Sequence, residues 1–238
     1  MNRKFDHSNN VDLVELLATT LESGRTYQTP NGDKLPSVTT VLGILSREGI
    51  AAWRKKVGEA EAKRISYRAS TRGTAVHEII ERYVNNDEDF KRFLPEGATK
   101  KVTVTPDIYQ MFLSMKPILD TRLGDIYAQE APLYSEHLGV AGRVDCVGYF
   151  DGKLSIIDWK TSRKPKHKKW ISSYFMQETF YAIAWEERTG MPITQLVTII
   201  AVDNHEPQIF VDHRDNWVRP LKETIEQYKN ENSGVQLL

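Results

Sequence analysis

The spacing of apolar residues changes partway along the chain. The first half repeats them at helical intervals, and from Asp125 onward they fall in short alternating runs. In residues 11–21, Val11, Val14, Leu17 and Leu21 fit one face of an amphipathic helix. Pro30, Asn31 and Gly32 mark a tight turn between two extended segments. Ser37 or Thr39 caps a short helix running through Leu42 and Leu45. Residues 50–70, rich in alanine and charge, predict a helix. Residues 72–85 predict another, with Val76, Ile79, Ile80 and Tyr83 as its stripe. The run 85–90 and the stretch around Pro95 and Gly97 interrupt this pattern. Thr105 then caps a helix that Pro106 opens and Pro117 should kink or end.

Beyond Asp125, residues 126–134, 140–150 and 154–161 predict three strands. Gly139 sits at one turn and Asp151-Gly152, a strong hairpin signal, at the next. A helix follows over 172–188, ended by Gly190, Met191 and Pro192. Strands over 196–202 and 208–212 and a helix over 217–230 complete the chain. Hairpins combined with one crossover predict an α/β fold with a mixed central sheet flanked by helices. The N-terminal region, residues 1–70, reads as a helical accessory region, and residues 71–238 as the core.

Composition narrows the chemistry. The 32 basic and 32 acidic residues cancel, which excludes binding to nucleic acid through bulk charge. Any such site must come from local clustering. Residues 163–169, RKPKHKK, form that kind of cluster, with five Lys or Arg in seven positions. The single cysteine, Cys146, excludes an intrachain disulfide and a four-cysteine zinc or iron–sulfur site, and it suits a reducing compartment. No apolar run approaches the ~20 residues that span a bilayer. The N-terminus carries neither a signal core nor a transit pattern. These features predict a cytoplasmic protein without membrane contact.

The candidate chemistry lies in GRVDCVGYFDGKLSIIDWKTS. On a strand, Leu154, Ile156, Asp158 and Lys160 share one face, so a mostly apolar strand ends in a carboxylate beside an ammonium. The Asp151-Gly152 turn is the midpoint between Asp145 and Asp158, so a hairpin brings the two carboxylates together, and Gly142 leaves space beside them. Aspartates suit magnesium or manganese. Such an ion activates water for phosphodiester hydrolysis, and a lysine offsets the charge that develops. The other reading of Asp-x-Lys is a solvated pair on a surface hairpin.

The blocks RGTAVHEIIE (72–81), QE (129–130), AGRVD (141–145), IIDWKTS (156–162) and QETFYAIAW (177–185) resemble the RecB-like exonuclease branch of the PD-(D/E)xK nuclease superfamily. TPNGDKLPSVTTVL (29–42) is similar to the same stretch in mitochondrial genome maintenance and phage-encoded exonucleases. The resemblance implies a restriction-endonuclease-like core of αβββαβ order. It implies metal-binding carboxylates at Asp145 and Asp158, a catalytic lysine at Lys160, and a further ligand in the Trp159 carbonyl. It also implies a metal-site role for His77, which spacing alone reads as a partly buried core residue. Glu130 is a further ligand or supporting group, or an exposed carboxylate at a strand end.

Gln177 and Tyr181 share a helix face and match the branch's Gln-x-x-x-Tyr motif, although Tyr181 also fits a core position. Thr161, Ser162, Arg163 and Lys164 are candidate phosphate contacts. Ser37, Thr39, Thr40 and Arg72 are candidate lining for a strand passage, and Ser37 and Thr39 fit helix capping equally. Aromatic residues that could stack on bases include Trp53, Tyr67, Trp159, Trp170 and Tyr174. The expected activity is a Mg2+- or Mn2+-dependent DNA exonuclease with one or two ions, no iron–sulfur cluster and a preference for single-stranded ends. Its partners would be DNA and proteins of replication or recombination, in a phage-infected or bacterial cell. A flap or junction endonuclease and a catalytically silent nucleic-acid-binding subunit are the alternatives.

Overall fold

The computed structural model describes residues 3–90 and 105–233, so the interruption expected at Pro95 and Gly97 lies outside the described residues. Three short strands come first: β1 (Leu17–Leu21), β2 (Gly24–Gln28) and β3 (Lys34–Pro36), forming an antiparallel sheet. Helices α1 (Val38–Leu42), α2 (Arg47–Val57), α3 (Glu59–Val84) and α4 (Pro106–Arg122) follow. The central sheet then alternates with the last two helices: β4 (Leu123–Ser135), β5 (Val140–Phe150), β6 (Lys153–Ser162), α5 (Ser172–Thr189), β7 (Gln195–Val202), β8 (Gln208–His213) and α6 (Val218–Ser233).

The five central strands lie in chain order. Neighbours are antiparallel except β6 and β7, which are parallel and joined by the α5 crossover. The sheet is therefore mixed and flanked by helices, as the sequence pattern predicts. One face packs Ile156, Leu196 and Ile200 against Phe175, Phe180 and Trp185 of α5, with α1 and α6 completing the layer. The other packs Ile157, Trp159 and Val197 against Val76, Ile80, Phe112 and Met115 of α3 and α4. Parallel β6 and β7 are buried on both faces, which explains their continuous apolar runs. Local signals set the ends. The Ser37 side chain accepts from the Thr40 N–H at the start of α1. Gly190, at φ 74°, closes α5 by donating to the Glu186 carbonyl.

Three expectations change. Residues 11–21 do not form a helix. Leu17–Leu21 pairs with β2, and Val14, Leu17 and Leu21 stay exposed, while Leu16 and Tyr27 anchor the small sheet on Ala141. The helical spacing of those leucines therefore carries no buried face. The break between the first two long helices falls at Gly58 and not near residue 71. Gly58 takes φ 85°, a conformation open to glycine at little steric cost, whereas α3 runs without interruption through Ser70 and Thr71. Finally, Pro117 does not end α4. It lies on the exposed side of the helix, opposite Met111, Met115 and Leu119, where the carbonyl left without a partner faces solvent and not the core.

Phe112 is the centre of an aromatic knot, 5.3 Å from the Tyr83 ring, 5.6 Å from Phe90 and 6.0 Å from Tyr109. Phe112→Ala should cost about 3–5 kcal/mol by opening a cavity there. Urea denaturation checks this, and a loss under 1 kcal/mol would contradict the packing described.

Candidate active site

The hairpin β5–β6 pairs Phe150 with Lys153 through to Cys146 with Ile157 around the Asp151-Gly152 turn. Both turn residues have positive φ, 51° and 75°, as a two-residue hairpin of this twist requires. One step further along this register, Asp145 opposes Asp158, and there the two strands part. The Trp159 N–H goes instead to the Asp145 carboxylate, with Oδ2 at 2.9 Å. Strand β6 continues its pairing with β7 as far as Ser162 and Val202.

A matching irregularity occurs on β4. Glu130 lies between the pairs Gln129–Cys146 and Ala131–Val144, at the level of Asp145, and its φ is 43°. Left-handed backbone is uncommon outside glycine and is found where surrounding structure enforces it. Here the Arg143 guanidinium donates to the Glu130 carbonyl. Ala128 and Ala131, three residues apart, enter the same core layer, as do Val144 and Val147. Strict alternation would put each pair on opposite faces. Both strands change their facing around Glu130 and Asp145 while keeping register with each other.

His77 completes the group from α3. Val76 and Ile80 on that helix are buried, and His77 comes out at the edge of this face. Its Nδ1 is 3.5 Å from Asp145 Oδ2, and the ligand atoms of His77, Glu130 and Asp145 all lie within 4.8 Å of one another. Asp158 is buried, with Lys160 Nζ in direct contact with its Oδ2, and its Oδ1 has no hydrogen-bond partner. Lys160 also lies 5.2 Å from the centre of the Tyr174 ring.

This crowding shifts proton affinities. Burial pushes Asp158 up to about 6 despite the opposing pull of Lys160. Burial, with the Asp145 and Glu81 carboxylates, pushes Glu130 up to about 8. Burial pulls Lys160 down, but Asp158 and Asp145 outweigh it and hold the lysine above its usual range. Imidazole and carboxylate donors converging on one point, beside a buried carboxylate oxygen with no partner, fit a divalent cation. His77, Glu130 and Asp145 are the residues placed to hold one, with Asp158 adjoining.

His77, Glu130 and Asp145 open into a cleft of about 950 Å³ whose walls include Ser37, Thr39, Arg143, Gln177 and Tyr181, while Asp158 and Lys160 lie behind its walls. Gln177 donates to the Tyr181 hydroxyl at 3.2 Å. The Tyr181 ring fills the space left by Gly142, where a Cβ would stand 2.9 Å from Tyr181 Cε1. Other sequence candidates lie outside these walls. Thr40 Oγ1 accepts from the Arg25 N–H and ties α1 to β2. Ser162 Oγ donates to the Lys164 carbonyl within the loop after β6. Thr161 faces α3 at Gly73, where a Cβ would be 3.8 Å from its hydroxyl. Arg72 Nε is buried without a hydrogen-bond partner, and Arg163 and Lys164 are exposed. The Trp159 indole is in the core, and its backbone N–H is what meets Asp145.

Two residues stand out that motif reading passes over. Arg143 supports Glu130, as described. Glu178 on α5 is fully buried, accepts from the Thr198 hydroxyl, and leaves its second oxygen without a partner. Thr198 is the β7 register partner of Asp158. Burial, then the Asp158 charge, holds Glu178 well above the usual carboxylate range. Its signal in the sequence is a charge at an apolar spacing, between Phe175 and Ala182 and Trp185.

A mixed sheet flanked by helices, with an acid–histidine cluster at a splayed hairpin, is an architecture shared with a class of nucleases. Residues 48–235 match the sequence profile of the PD-(D/E)XK nuclease superfamily, and the chain belongs to it. Nucleases of this superfamily use divalent metal ions. Human mitochondrial genome maintenance exonuclease 1 is 26% identical over 219 residues, 83% of this chain and 60% of that protein. The Xenopus tropicalis protein of the same name is 26% identical over 140 residues, 56% of this chain and 37% of its own length. The chain thus spans 60% or less of these relatives. A solved structure from Eubacterium rectale, provisionally assigned as an exonuclease, aligns at a TM-score of 0.41 with 16% identity, over 67% of this chain and 68% of that one. No helix among the described residues is long and apolar enough to cross a membrane.

Because Glu178 binds its proton more tightly folded than unfolded, its contribution to stability is full below about 4.5. It falls as pH rises from there towards the higher folded value. Glu178→Gln keeps the neutral form at every pH. Its melting temperature relative to the unmodified protein should therefore climb between about pH 5 and pH 8. A difference independent of pH, read by differential scanning calorimetry, would contradict the assignment.

Proposed function

We propose that the chain is a divalent-metal-dependent exonuclease that hydrolyses DNA and prefers single-stranded ends. The observation that carries this is the convergence of His77, Glu130 and Asp145 beside Lys160 locked to Asp158. In this reading Asp145, Asp158, Glu130, His77 and the Trp159 carbonyl hold one or two Mg2+ or Mn2+ ions. When bound, such an ion polarises a phosphoryl oxygen and lowers the pKa of water.

Lys160 works as a cation. Held protonated by Asp158 and Asp145, it offsets negative charge on the attacked phosphate and orients the incoming water. The water oxygen bonds to phosphorus and gives up one proton to solvent, the bond to the leaving sugar oxygen breaks, and that oxygen takes up one proton from solvent. Gln177 and Tyr181 fix the approach of the strand, and the hydroxyls of Ser37 and Thr39 face it across the cleft. Arg163 and Lys164, exposed beyond the cleft, extend these contacts along the backbone. The names of the mitochondrial relatives favour exonuclease chemistry.

The same reading gives replication or recombination proteins as partners. It also keeps the chain in a reducing compartment, the cytoplasm, where Cys146, buried and with its thiol pushed up by that burial, stays inert.

The test is a panel of labelled oligonucleotides, 5′-blocked, 3′-blocked and circular, with and without Mg2+ or Mn2+. Linear single strands should be degraded and circles left intact, and Asp145→Asn and Lys160→Ala should each lose about 10²-fold or more. Full activity in either variant sinks the reading. Cut circles move it to a flap or junction endonuclease, and binding without metal-stimulated cleavage to a silent binding subunit.

A second test concerns pH. Asp158 near 6 and Glu130 near 8 must release protons to become ligands. Mn2+ affinity, measured by titration calorimetry, should rise by at least about tenfold from pH 6 to pH 8.5. A flat profile would contradict ligation by these two groups.

A further inference from the structure

The basic run 163–169 is an ordered structure. The Lys166 N–H donates to Gln208 Oε1 at 2.7 Å, and Gln208 Nε2 donates back to the Lys166 carbonyl at 3.0 Å, fastening the loop to edge strand β8. Lys168 is drawn inward to Asp212, at 2.9 Å, and over the Phe175 ring. The Ser162 hydroxyl closes the first turn on the Lys164 carbonyl. At the end of the loop stands Trp170, 60% exposed, the most solvent-facing tryptophan among the described residues.

An indole left in water at this level has a cost that packing normally removes. Trp170 is held outward. The His167 ring meets it edge-on at 4.5 Å, and Lys169 Nζ lies 5.9 Å from its centre. Among the described residues, Arg163, Lys164, Lys166 and Lys169 make no ion pair with a carboxylate. The loop therefore joins a propped, open aromatic face to four unneutralised cations. Trp170 is also close to the chemistry, because four residues on, Tyr174 carries the ring that lies against Lys160. Four residues of chain span at most ~14 Å.

We propose that residues 163–170 form a second subsite for single-stranded nucleic acid, where Trp170 stacks on an unpaired base and the four cations track its phosphates. It rests on the nuclease reading for its orientation towards Lys160, and it adds a contact outside the cleft. An exposed ring flanked by cations that pair with no carboxylate grips a π-face and a backbone without selecting a base, which suits processing of arbitrary sequence. A paired base offers no free face, so the site favours single strands. Stacking and phosphate contacts are common to DNA and RNA, so dT and rU oligomers separate the two sources.

The experiment measures binding of fluorescent 4-mers and 16-mers of dT and rU to the full chain by anisotropy in a chelating buffer, where cleavage cannot interfere. Trp170→Leu should weaken 16-mer binding by about tenfold, with Trp170→Phe retaining most of it, and should change 4-mer binding less than twofold. Replacing Lys164, Lys166 and Lys169 together by Ala should reduce the slope of log affinity against log salt by about 2. Melting temperatures identify any variant that fails to fold, and the lysine variant then decides alone.

Unchanged 16-mer affinity in a folded Trp170→Leu protein overturns the subsite. So does an equal loss for both lengths, which would mean a disturbed cleft. The same oligomers incubated with Mn2+ report the nuclease reading separately. Cleavage with no Trp170 effect defeats the subsite alone. Absence of cleavage defeats the nuclease reading, while the chelated binding data still decide the loop.

Discussion

Four carboxyl groups, Glu130, Asp145, Asp158 and Glu178, are brought into the sheet and the helix packed on it, and like charges at this separation cannot all be ionised cheaply. Everything around them serves that constraint. Lys160 supplies one full opposing charge. The Trp159 N–H and the Thr198 hydroxyl each take up one carboxylate oxygen. Burial, together with neighbouring carboxylates, raises the proton affinity of Glu130 and Glu178, which eases the remaining repulsion. The centre is held in readiness for positive charge, and its ionisation and its ligand capacity are two views of one balance.

The backbone makes that crowding possible. A regular antiparallel hairpin would set Asp145 and Asp158 opposite each other on one face but close the gap between their strands with hydrogen bonds. Here β5 and β6 separate one step after Cys146 and Ile157, and β4 takes a left-handed residue at the same level. The β5–β6 pairing ends at this level while β4 keeps its register with β5, which opens a wedge in the sheet. Arg143 bridges the wedge by holding the Glu130 carbonyl, while a second donor on its guanidinium reaches Glu15 from the N-terminal segment. Irregular strand geometry beside a reactive centre is a recurrent way to re-aim side chains.

Much of this was readable from the chain itself because it depends on short-range rules. Asp151-Gly152 dictates the hairpin, the hairpin dictates that Asp145 meets Asp158, and period-two alternation places Lys160 beside Asp158. The three-residue spacing between Ala128 and Ala131 was equally present, but only the paired strand, with Val144 and Val147 in the same layer, shows that the facing changes at Glu130. Leu17 and Leu21 misled for the converse reason. Helical spacing predicts a helix only when its stripe is buried, and long-range pairing with Gly24–Gln28 took those residues instead. Gly58 was an available break that alanine-rich flanks obscured. Glu178 escaped notice because a buried acid looks like surface polarity until its neighbours are known. The membership of His77 in the cluster needed the packing of α3 on the sheet, which no local pattern encodes.

Helix α3 is unbroken from Glu59 to Val84, with its first half largely exposed and its second half packed on the sheet. His77 lies 18 residues, about 27 Å, from the N-terminal end of the helix at Glu59. One continuous element thus carries both a residue of the acid–histidine cluster and a long arm that faces solvent.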